Sequence, residues 1–67
     1  MKLIGNDYNR SQDDEIRTWL ADSATEISAN FDAESASGSM IIVIETKDIY
    51  IKNGEGKWQK FGTNEVI

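Results

Sequence analysis

No cysteine and no histidine occur anywhere in the 67 residues. That removes the disulfide framework and the zinc site that most often hold so short a chain together. A chain of this size buries only about 60% of the surface its unfolded form exposes, so its core is thin. Packing or assembly must therefore supply most of the stability, and association with further copies or with a larger structure is expected. Carboxylates are the strong metal ligands that remain, and they favour hard ions such as calcium. No D-x-[DN]-x-[DN]-G loop is present, so no metal and no cofactor is expected.

The residues offer little to catalysis. There is no thiol or imidazole and no G-x-S-x-G elbow. The one local carboxylate cluster, Asp13-Asp14-Glu15, falls where a helix N-terminus favours negative charge. Glu45 and Asp48 flank a turn and read as solvated. Gly54-x-Gly56 lacks the rest of a phosphate loop and reads as a hairpin turn. The expectation is a protein that is not an enzyme and binds no small molecule.

Charge is unevenly placed. Residues 1–38 hold the acids Asp7, Asp13, Asp14, Glu15, Asp22, Glu26, Asp32 and Glu34 against Lys2, Arg10 and Arg17. Beyond them, Glu45, Asp48, Glu55 and Glu65 balance Lys47, Lys52, Lys57 and Lys60. The first half therefore carries the whole net charge of −5, which speaks against a phosphate-binding stripe and so against nucleic acid. Residues 1–5 do not read as a signal peptide, and the apolar run at 40–44 is far short of the roughly 20 residues that span a bilayer. A soluble protein made without export, with no membrane partner, is expected.

Periodicity predicts an α+β fold in a single domain over residues 1–67. Residues 1–10 read as an N-terminal arm, in which Leu3 and Ile4 suit a short strand and Gly5, Asn6, Asp7 and Asn9 favour turns. Residues 11–31 read as an amphipathic helix capped by Ser11 and Asp14. Its apolar stripe is Ile16, Trp19, Leu20, Ala24, Ile27 and Phe31. Residues 32–39 read as a mobile linker that turns at Gly38. Residues 40–62 read as a three-stranded antiparallel meander: strands at 40–44, 49–52 and 58–61, a tight connection at Thr46-Lys47 and an Asn53-Gly54 turn. Residues 63–67 form a tail. The predicted core joins Trp19, Leu20, Ile27 and Phe31 of the helix stripe to Ile42, Ile44, Ile49, Ile51 and one of Trp58 or Phe61, with the connection lengths leaving that last choice open.

Tyr50 and Trp58 suit a cross-strand pair or, if exposed, a contact surface. Met40 and Ile41 lie on an uncharged strand that reads as an edge open to a neighbouring chain. These four residues are the candidate partner-binding set. As a sugar or base platform, Tyr50 and Trp58 would have to be exposed.

The residues Gly38-Ser39, Ile44-Glu45-Thr46, Tyr50, Asn53-Gly54 and Trp58 resemble a hairpin segment of the form G-S…I-(D/E)-T…Y…(D/N)-G…W. That segment occurs in many small tailed-bacteriophage proteins encoded among the head and tail structural genes. The likeness covers residues 38–58, with the preceding Asp-Ala-Glu-Ser-Ala similar to the loop that leads into it. The chain departs from the segment at Glu45, where Asp is usual, and at Lys47, where Gly is usual. The resemblance implies a virion accessory component: a capsid decoration, head fibre base or head–tail protein. It would be made in the host cytoplasm, located in the virion, and partnered by itself or a capsid protein. From another class, an acidic helix would suit a small regulator that blocks a basic host protein.

Overall fold

The computed structural model describes residues 1–9 and 14–67, and among them there is no α-helix. The fold is instead nearly all β, a five-stranded mixed sheet: β1 (Lys2–Asn9), β2 (Asp14–Ala21), β3 (Met40–Val43), β4 (Asp48–Lys52) and β5 (Trp58–Lys60). The strands lie in chain order. Neighbours are antiparallel except β2 and β3, which run parallel. The expected α+β fold is therefore corrected at its first half. The Ser11 cap, with Gln12 and Asp13, lies outside the described residues.

The reason is visible in the spacing itself. In β2, Arg17, Trp19 and Ala21 point to one face, and Ile16, Thr18 and Leu20 to the other. A strand with apolar residues on both faces also satisfies a three-and-four helical rhythm, so Ile16, Trp19 and Leu20 fit either structure. The β-branched Ile16 and Thr18 and the aromatic Trp19 favour the strand. Pairing decides it, because β2 saturates the edge of β3 that a helix would leave open, from Thr18 opposite Met40 to Ala21 opposite Val43. Residues 2–9, expected as an arm, pair along β2 with a bulge between Leu3 and Gly5. Helix-starting chemistry does occur, twelve residues later than expected. Ser23 and Glu26 form a capping box around a single 3-10 turn, Ala24–Glu26.

The meander forms close to where the sequence places it. The Asn53-Gly54 turn differs in detail. The left-handed residue is Gly56, at φ +77°, while the Asn53 side chain accepts the backbone N–H groups of Glu55 and Lys57. This is a type I turn closed by a glycine bulge, a common three-residue hairpin loop. The other connection places Lys47 at φ +60°, a conformation that costs a side-chain-bearing residue about 1 kcal/mol.

A parallel pair requires a crossover, and residues 22–39 supply it over one face of the sheet. Under it lies the core of Ala21, Ile27, Ile41, Val43 and Trp58, with Trp19, Ala24, Phe31 and Tyr50 packed against it. The alternation is thus inverted relative to expectation. Ile41 and Val43 face the core, while Ile42, Ile49 and Ile51 occupy the uncovered face, and Ile44 is exposed in the loop after β3. Trp58 is fully buried and Phe61 is 68% exposed, which settles the choice between them.

Two outcomes follow for stability. Trp58→Ala empties a fully buried site at a cost of about 3–5 kcal/mol, enough to abolish cooperative thermal unfolding in so small a domain. Phe61→Ala shifts stability by less than about 0.5 kcal/mol in the same melts. Lys47→Gly relieves the left-handed side chain and raises stability by about 0.5–1 kcal/mol, measured by urea unfolding.

Candidate interaction surface

An irregular crossover must find hydrogen-bond partners for its backbone outside regular structure. Here side chains of the covered face provide them. Lys52 is 4% exposed, and its ammonium donates to the Asp32 carbonyl (2.8 Å), the Ser35 carbonyl (2.9 Å) and the Ser35 hydroxyl (3.1 Å). It also stands 5.6 Å from the centre of the Trp58 ring, within range of a cation–π attraction. Burial pushes the ammonium below its ordinary pKa; the Asp32 carboxylate opposes that shift and Arg17 adds to it.

Asp32 is the second anchor. Its carboxylate accepts from the Arg17 guanidinium and from the Trp19 indole N–H, the latter at 2.8 Å. The Trp58 indole N–H donates to the Phe31 carbonyl at 2.8 Å. Phe31 meets Trp19 edge-on at 5.0 Å between ring centres and Trp58 at 6.2 Å. Ser39, fully buried, accepts the Arg17 backbone N–H and donates to the Ala36 carbonyl. Residues 32–39, expected as a mobile linker, are thereby tied to β2 and β4. Gly38 does serve as a turn point, at φ +97°. At the far end of the crossover the Glu26 carboxylate is held below its usual range by the Met1 amino group, then by the N–H groups of Ser23 and Asp22.

In this cluster of charge the hydroxyls of Ser35 and Ser39 and the Lys52 ammonium are all engaged in hydrogen bonds, and no buried side-chain polar atom among the described residues lacks a partner. Nor do three or more acidic side chains converge there to hold a cation. Its chemistry is that of a clasp. The surface left to meet other molecules is the opposite face of the sheet. One row across it runs through Leu20, Ile42 and Ile49, the next through Thr18, Met40, Ile51 and Gln59, and Ile16 lies beyond. Among the side chains described, those on this face from Ile16 across to Ile51 carry no charge. Ile16 and Ile49 are the most open, at 38% and 36% exposed. Phe61 borders a shallow groove of about 240 Å³ beside Ile51 and Gln59.

The four candidate contact residues are divided by the sheet. Met40 belongs to the open face and is half-buried. Ile41 and Tyr50 are cross-strand partners on the covered face. Ile41 and Trp58 have no exposed surface at all, so neither reaches a partner and Trp58 offers no stacking platform for a base or sugar. The strand at 40–44 is not an edge: β3 is the central strand, paired on both sides. Sequence reasoning missed Ile16 and Leu20 as surface residues because it assigned them to a buried helix stripe. Alternation within residues 16–21 was the signal available for them.

Comparison with protein-family models, with curated proteins and with solved structures finds no match.

Replacing Lys52 tests the clasp. Lys52→Met leaves the buried Ser35 carbonyl without its donor and is expected to cost about 2–3 kcal/mol in chemical denaturation. Lys57→Met, at a side chain 60% exposed, is expected to change stability by less than about 0.5 kcal/mol.

Proposed function

We propose that this chain is a non-enzymatic attachment module, a bacteriophage virion accessory component that docks its open sheet face onto a viral structural protein. The observation that carries the attachment reading is the uncovered apolar face itself. From Ile16 to Ile51 the described side chains form a contiguous patch without charge, which a partner can desolvate without stranding one, on a chain with net charge −5. The virion assignment rests on the resemblance of residues 38–58. Position 47 supports it: where the related segment carries Gly, this backbone adopts φ +60°, the conformation glycine accepts most readily. The regulator reading, which required an acidic helix, has lost that element.

Mass spectrometry of purified particles of the virus encoding the chain tests the proposal. The chain is expected at a stoichiometric copy number, and its absence from particles removes the virion reading. Ile16→Asp combined with Ile49→Asp places charge on the open face. The variant is expected to keep the far-UV circular dichroism of the parent and to fail to enter particles.

A further inference from the structure

The two edges of the sheet are treated differently. Beyond β5, the chain's own tail adds a partial strand: Gln59 bridges Val66, the Lys60 N–H donates to the Glu65 carbonyl at 2.8 Å, and the Ile67 N–H donates to the Trp58 carbonyl at 3.0 Å. Beyond β1, no described segment pairs, so eight residues present one row of backbone donors and acceptors outward. This open edge carries Lys2 and Asp7, both exposed, and neither forms an ion pair with any described residue.

Five residues apart, Lys2 and Asp7 would point to opposite faces of a regular strand. The bulge at Ile4 corrects that. Lys2 lies opposite Leu20 and Asp7 opposite Ile16, so both stand on the open face. Bulges often blunt an edge. This one gives the edge a self-complementary pattern, because an antiparallel copy can set Lys2 against Asp7, Leu3 against Asn6 and Ile4 against Gly5. In that register Lys2 and Asp7 share the open face, and Leu3 and Asn6, opposite Trp19 and Arg17 in β2, share the covered side. Lys2 against Gly5 also matches faces, but it shortens the overlap and leaves both charges unpaired.

We infer that a second copy of this chain pairs with β1 across a twofold axis between Ile4 and Gly5, joining two five-stranded sheets into one of ten. Two reciprocal Lys2–Asp7 contacts fix the register. Each copy has one free edge and one occupied by its own tail, so the assembly closes at two. The joined sheet places the two apolar faces on the same side, separated by the paired β1 strands with their Lys2 and Asp7 side chains. The inference does not depend on the virion reading; absence from particles leaves it standing.

Sedimentation equilibrium over a concentration series, with a charge-swap cycle, tests it. The parent chain is expected to be a monomer–dimer system. Lys2→Asp or Asp7→Lys alone converts two attractive contacts into two repulsive ones and weakens dimerisation at least about tenfold. The double variant Lys2→Asp/Asp7→Lys restores affinity to within about threefold of the parent, a difference below about 0.7 kcal/mol. Because both side chains are exposed, circular dichroism should be the same for all four proteins. A parent that stays monomeric at every concentration overturns the inference. So does a dimer indifferent to the single swaps, or one that the double swap fails to restore.

Discussion

A lysine ammonium enclosed beneath an irregular crossover is the interaction on which the rest of this fold depends. The parallel junction of β2 and β3 obliges the chain to travel across one face of the sheet, and residues 22–39 do so with only one short turn of helix. Such a segment cannot satisfy its own backbone. Lys52 meets part of that demand from the strand beneath, while Trp58 and Ser39 meet more of it. The same residues bring Phe31 down between two tryptophan rings. Polar clasp and aromatic core are thus one construction, and neither forms without the other. A buried charge is a costly choice in a small domain, and it is tolerated because every donor on it is used.

The covered face absorbs the large aromatic side chains, which leaves the other face made of aliphatic strand residues with nothing over them. The 18-residue crossover shields a single face of the five-stranded sheet, and no other described segment lies over the second. The lack of charge among its described side chains from Ile16 to Ile51 makes it suitable for contact with another protein surface, and the negative charge elsewhere keeps the remaining faces hydrated.

The second half of the fold was legible because its signals are local. The β-branched run at 40–44, the alternation at 49–52 and the glycine turn at 53–56 each act within a few residues. The first half was not. Ile16, Trp19 and Leu20 fit a helix and a two-sided strand equally, and the decision came from pairing with β3, more than twenty residues away. Residues 5–9 are rich in turn formers and become a strand only because β2 is there to pair with. Alternation also distinguished two faces of the meander without saying which would be covered. The crossover chose the face of Ile41 and Trp58, and so divided the candidate contact residues Met40, Ile41, Tyr50 and Trp58. Lys52 gave no sign of its role, since a lysine between an isoleucine and a turn ordinarily lies in solvent.

The parallel seam also bears on how the molecule assembles. The β1–β2 pair and the β3–β5 meander are each closed by neighbours along the chain, the kind of contact that forms on the microsecond scale. From Thr18 to Met40 the seam spans a loop whose closure loses entropy before any contact offsets it. Joining the two halves is therefore the slow event we expect in folding, with Lys52 reaching its acceptors only once both halves are in place. Until then the aliphatic strands of the two halves lie unshielded on both sides, and the time spent in that condition sets the window in which separate chains can become entangled.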